Sequence, residues 1–202
     1  MKNRLNGPDW DIVQQLIRMG LQSAIDAFGS FTAGNAPLHT ESVQCNTATL
    51  PPYRTQEDII VLTTAIKGAL KGHCHLIFSA PEARQLLAHA CPNADPADEI
   101  AQAFLLELDN IVTASIVTHF ANLLDTHLYG DVPQWTQLTA DALAAFVYQD
   151  RCPVLFDAQL ASSDRQIRPV LVWTMEERFF EALQTLTADE AHTKRISNYI
   201  SY

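Results

Sequence analysis

Two long stretches of helical period set the terms for what this chain can fold into. Across residues 11–31, Ile12, Val13, Leu16, Ile17, Leu21, Ala24, Ile25 and Phe28 recur at three- and four-residue spacing. From about 98 to 125, Ile100, Phe104, Leu105, Leu108, Ile111, Val112, Ser115, Ile116, Leu123 and Leu124 do the same. Each stretch predicts a helix with one apolar face that must be covered. The intervening period is shorter. Residues 59–62, a Lys71-Gly72 turn and residues 73–78 predict a hairpin, and 142–148, 154–160 and 170–173 predict further strands. Ser79, Pro81 and Glu82 carry the signature of a short helix start, and Thr174 with Glu177 that of a last helix through Phe179, Phe180 and Leu183.

The plan is repeated. Leu-Ile-Phe-Ser at 76–79 lines up with Leu-Val-Trp-Thr at 171–174 (171 − 76 = 95), and Phe31 with Phe120 (120 − 31 = 89). The breaker-rich stretch 92–96 falls between the copies. One such unit cannot cover both its helix face and its sheet face, so two would share a core. The expectation is a single α+β domain with pseudo-two-fold arrangement, two long helices against an antiparallel sheet with shorter helices flanking it. Its two diverged repeats would span about 8–91 and 97–188, followed by a tail at 189–202.

Charge and composition exclude several classes. Thirteen Lys and Arg against 23 Asp and Glu give a net charge of -10, the wrong sign for a phosphate-backbone binder, so nucleic acid is not expected as a partner. A hydrophobic fraction of 48% excludes intrinsic disorder. The first ten residues have no apolar run, and the richest later segment is broken by Glu107 and Asp109, so neither a signal peptide nor membrane insertion is expected and the chain reads as cytoplasmic. Cys45, Cys74, Cys91 and Cys152 are scattered, as reduced core or strand thiols would be. His73-Cys74-His75 sets two imidazoles on one strand face, but no third metal ligand stands out, and no Gly-rich phosphate loop, Gly-x-Ser-x-Gly elbow or His-Glu-x-x-His is present.

The second long helix carries the constellation of interest. At about 100° per residue, Glu107 and Asn110 lie one turn apart on the side away from Leu105 and Leu108. Ala103, Ala114, Val117 and Ala121 share their stripe, with no Lys or Arg among them, so a partner's backbone could approach closely. Pro133 follows Asn110 by 23 positions (133 − 110), where the chain should turn toward a strand.

These residues resemble the signature of the CheC and CheX family of chemotaxis phosphatases, which includes the phosphatase part of FliY: Asp or Ser, three residues, Glu, two residues, Asn, twenty-two residues, Pro. Glu107, Asn110 and Pro133 match it, and Ala103 stands where the family has Asp or Ser. CheC carries one signature per half and CheX only one. Shifted by the Phe31–Phe120 offset, the first half has Arg18, Leu21 and Gln44 at these positions, so a single active face is expected. The resemblance implies hydrolysis of the phosphoaspartate of a CheY-like receiver, with Asn110 orienting the water and Glu107 pairing with the receiver's Lys. It also implies no cofactor of the chain's own, and Mg2+ held by the receiver. Two alternatives stand beside this reading: a CheC-like adaptor binding a receiver or the deamidase CheD without turnover, and an unrelated two-layer sensor or scaffold domain.

Overall fold

The computed structural model describes residues 9–32, 37–45, 50, 53, 56–90, 99–149 and 152–188; the joint at 92–96 and the tail at 189–202 lie outside them. Its elements are α1 (Trp10–Phe31), β1 (Leu38–Cys45), β2 (Asp58–Gly68), β3 (Gly72–Ser79), α2 (Ala80–Ala90), α3 (Glu99–Leu123), β4 (Leu128–Gly130), β5 (Gln134–Thr139), α4 (Ala140–Val147), β6 (Val154–Ser162), β7 (Val170–Met175) and α5 (Glu177–Ala188). The seven strands form one antiparallel sheet in the order β1-β6-β7-β3-β2-β4, with β5 also on β2. Leu76 and Leu171, matched in the sequence, face each other across the central β3–β7 pair. The outer strands are exchanged between the halves. β1 pairs with β6 of the second half, while β4 and β5 pair with β2 of the first.

Local chemistry starts α1 and α2 where the sequence predicts. The Asp9 carboxylate accepts from the Asp11 and Ile12 N–H groups at 3.1 and 3.4 Å, capping α1. Ser79 and Glu82 make the reciprocal pair of a capping box, with Ser79 N–H donating to Glu82 at 2.8 Å and Glu82 N–H to the Ser79 hydroxyl at 3.4 Å.

Both faces of the sheet are covered. On one, α1, α3, α2 and α5 bury Ile17, Leu21, Phe28, Leu105, Leu108, Phe120, Leu86 and Phe179 against Leu62, Leu76, Phe78, Leu171 and Trp173. On the other, Leu143 and Val147 of α4 pack on Ile59, Val61, Ile77, Val170 and Val172. By length and mean hydropathy α3 would also pass for a membrane span, but its apolar side lies against α1 and the sheet. Phe31 stacks on Phe104 at 4.9 Å between the two long helices. Gly20 of α1 lets His119 of α3 approach, since a Cβ there would stand 3.2 Å from its ring.

Two expectations are corrected. Residues 142–148, read as a strand, belong chiefly to α4: four alanines among its eight residues favour a helix, and Leu143 and Val147 are one turn apart. Thr174 does not open α5, because it is a buried residue of β7 and the helix begins at Glu177. Strands β1 and β4 are additional to those expected, whereas β5 begins at Gln134, directly after Pro133, where the turn toward a strand is expected.

After α3 the chain runs back along β2 in two pieces. β4 pairs with Ile66 to Gly68 and β5 with Asp58 to Thr63. Between them Asp131, Val132 and Pro133 span only two residues of β2, Thr64 and Ala65, and the Asp131 N–H donates to Ala65 O at 2.8 Å. Pro133, without an N–H, sits where the ladder is already broken.

Candidate functional site

The buried side of α3 fixes which way its outer side looks. Leu105, Leu108, Val112, Ile116 and Phe120 are at most 3% exposed. Glu107 and Asn110 are both exposed on the opposite side, with exposed Ala103 and Ala114 a turn beyond them at either end. Their Cβ atoms are about 5–6 Å apart by helix geometry. Pro133 is half-buried in the β4–β5 link.

Val117 does not belong to this strip. At 3% exposed it lies in the core, because β4 packs over that flank of α3 and buries Leu128 beside it. Ala121 is half-buried. The accessible strip is therefore Ala103, Glu107, Asn110 and Ala114, a carboxylate and a carboxamide among methyl groups. Near Pro133 the Lys67 ammonium donates to the Asp131 carboxylate, and this pairing raises the pKa of Lys67 and lowers that of Asp131.

Burial also sets the correspondence between the long helices. Shifted by 92, all seven buried positions of α1 fall on buried positions of α3: Val13 on Leu105, Leu16 on Leu108, Ile17 on Asp109, Gly20 on Val112, Leu21 on Thr113, Ala24 on Ile116 and Phe28 on Phe120. The 89-residue offset matched two phenylalanines of different environment, since Phe31 is half-buried and Phe120 wholly buried. In the burial register Gln15 and Arg18, both exposed, stand where α3 has Glu107 and Asn110. The pair is present on α3 and not on α1.

The same register exposes residues that the sequence reading passed over. Asp109 and Thr113 are buried polar residues where α1 has Ile17 and Leu21. The Thr64 hydroxyl of β2 donates to Asp109 Oδ2 at 2.6 Å, while Asp109 Oδ1 finds no hydrogen-bond partner. Burial pushes the Asp109 carboxyl from the ordinary 3.8 up to about 7, against the pull of the Thr64 bond. Cys74 of β3 is wholly buried near Asp109, Thr113 and Trp173, and its thiol is pushed up first by burial and then by Asp109. The helical period put Asp109 about 40° from Leu105, on the inward side, and this signal could have identified it.

On the other sheet face the His73 and His75 rings stack at 5.9 Å. His75 is buried, pairs through Nδ1 with Thr63 Oγ1 at 3.0 Å, and is pushed down to about 4, chiefly by burial and then by His73. Among the described residues no three His, Cys, Asp or Glu side chains converge as metal ligands.

No family model and no curated protein sequence matches the chain. Solved structures do. FliY from Thermotoga maritima superposes with a TM-score of 0.59 at 12% identity, covering 95% of this chain and 94% of FliY. CheX in the CheX–CheY–BeF3–Mg2+ complex from Borrelia burgdorferi gives 0.56 at 10%, covering 83% of this chain and 99% of that one. A CheC-like chemotactic protein from Shewanella oneidensis gives 0.53 at 14%, covering 80% and 98%. With its α+β architecture and exchanged outer strands, the chain has the fold of the CheC, CheX and FliY proteins.

Proposed function

We propose that this chain is a phosphatase of phosphorylated CheY-like receiver domains, working through one site made of Glu107 and Asn110. The observation that carries the reading is their joint exposure on one helix whose other side is locked into the core. Ala103 and Ala114 leave room beside them for a partner's backbone. The fold shared with a CheX solved together with CheY supports a receiver as the partner.

The chemistry asks little of the phosphatase. A phosphoaspartate is an activated acyl phosphate: a water oxygen bonds to phosphorus as the P–O bond to the aspartyl carboxylate breaks, the carboxylate leaves with the bonding pair, and the water's proton passes to phosphate or solvent. What limits the rate is holding the water in line. The Asn110 carbonyl can accept from that water while its NH2 donates to a phosphoryl oxygen, with no negative charge added. Glu107 pairs with the receiver's Lys and sets the docking register. The Mg2+ belongs to the receiver, and the chain contributes no metal of its own.

Ala103, in place of Asp or Ser, favours a second reading: a CheC-like adaptor that binds a receiver, or CheD, without turnover. Phosphate release from a phosphorylated receiver separates the two. The phosphatase reading expects acceleration by the wild type that Asn110→Ala removes while binding persists. Equal inertness of wild type and variant, with both still binding, leaves the adaptor.

A further inference from the structure

We infer that Asp109 is a positioning residue of this site: its buried carboxyl, held by Thr64, fixes how α3 is turned on the sheet and so where Glu107 and Asn110 point. The inference deepens the phosphatase reading and rests on it for its activity readout.

Three observations converge on this carboxyl. It is one residue from Asn110 along α3, and the 2.6 Å bond from Thr64 ties that turn of the helix to β2. Thr64 in turn lies on the stretch of β2 spanned by the Asp131–Pro133 link, so the Thr64–Asp109 bond ties α3 to the same two residues of β2 that the link passes. Gly130 of β4 closes the third side: a Cβ there would stand 3.0 Å from the Thr64 methyl and 3.5 Å from that of Thr113. A buried carboxyl is a poor choice for packing alone, because an apolar pair of similar size usually does as well or better. The chain itself uses that solution in α1, with Ile17 and Leu21 at these positions. Of the two long helices, the one that bears the exposed pair has the costly arrangement.

The helix stays seated while Asp109 is neutral, because burial outweighs the Thr64 bond, which by itself favours the charged form. Ionisation would place a charge in the core with Oδ1 unpartnered, and α3 would relieve it by shifting toward solvent. Of the groups near the carboxyl, Cys74 from β3 is the titratable one, with Trp173 of β7 beside that thiol; β2 brings Thr64, β4 Gly130 and α3 itself Thr113. All of these are uncharged while the thiol keeps its proton.

The test follows the Asn110 side-chain amide by NMR from pH 5 to 9, beside phosphate release relative to spontaneous receiver hydrolysis. In the wild type the amide resonances should move with a midpoint near 7, and acceleration should fall about tenfold from pH 6 to 8, tracking the neutral fraction. In Asp109→Asn, which stays neutral, both profiles should be flat. Thr64→Val removes the bond that favours ionisation, so its midpoint should rise; this variant carries the test if Asp109→Asn does not fold. Amide resonances that ignore pH in the wild type, or titrate alike in Asp109→Asn, overturn the proposal. Titrating resonances with no acceleration at any pH leave the positioning role intact and sink the phosphatase reading.

Discussion

The two long helices occupy the same packing frame and use their remaining surface differently. Their seven shared buried positions make both of them core elements. On the outer stripe, α1 carries Asp11, Gln15, Arg18, Gln22 and Asp26, a solvated face on which Gln22 donates to Asp26 at 2.9 Å. The matching stripe of α3 is Ala103, Glu107, Asn110, Ala114 and Thr118, short side chains around one acid and one amide. Beneath it, Ile17 and Leu21 give way to Asp109 and Thr113. Fold and site are therefore separable: the frame needs the apolar positions common to both helices, and the chemistry needs what differs.

That separation can be broken at its strongest point first. Phe28→Ala and Phe120→Ala remove equivalent fully packed rings, and each should cost about 3–5 kcal/mol in denaturant unfolding. A large cost at one position and a negligible one at the other would undo the shared frame. Asp109→Asn comes next. Both folded and unfolded chains hold the Asp109 proton below the ordinary carboxyl range. As pH rises from about 4 to about 7 the unfolded chain releases it first, so the wild type loses stability, on the order of 4 kcal/mol in all, and no more beyond that. The variant should therefore exceed the wild type most above pH 7 and match it near pH 4. The difference between the two proteins is the proper measure, because buried neutral His75 acts oppositely, its contribution being lost as pH falls from 6.5 toward 4. The smallest effect sharpens the site: Ala103→Asp places on an exposed turn the acid that the CheC and CheX signature has there, and should tighten receiver binding about two- to fivefold at low salt, the worth of a surface charge pair.

Much of this was legible in the sequence. Period alone located α1 and α3, Ser79 and Glu82 announced α2, and the outward direction of Glu107 and Asn110 followed from the wheel. What escaped was set by tertiary surroundings. β1 buries only Leu38 and Val43 of its eight residues, so it lacks the apolar run that marks a strand, and β4 is three residues long. Phe146-Val147-Tyr148 imitated a strand although the alanines before it decide for a helix. Val117 lies about 20° from Asn110 on the wheel, and only the arrival of β4 from later in the chain buries it. Matching Phe31 with Phe120 by identity gives a shift of 89, whereas matching the buried positions gives 92 and sets Phe28 opposite Phe120.

On the function proposed above, the outer face of α3 acts on a phosphorylated receiver and that of α1 does not. The direct measurement is the half-life of a phosphorylated CheY-like receiver at saturating concentrations of wild type, Asn110→Ala and Arg18→Ala. The half-life should shorten with wild type and with Arg18→Ala, and Asn110→Ala should lose about a hundredfold of that acceleration. Indistinguishable half-lives for wild type and Asn110→Ala would contradict that function.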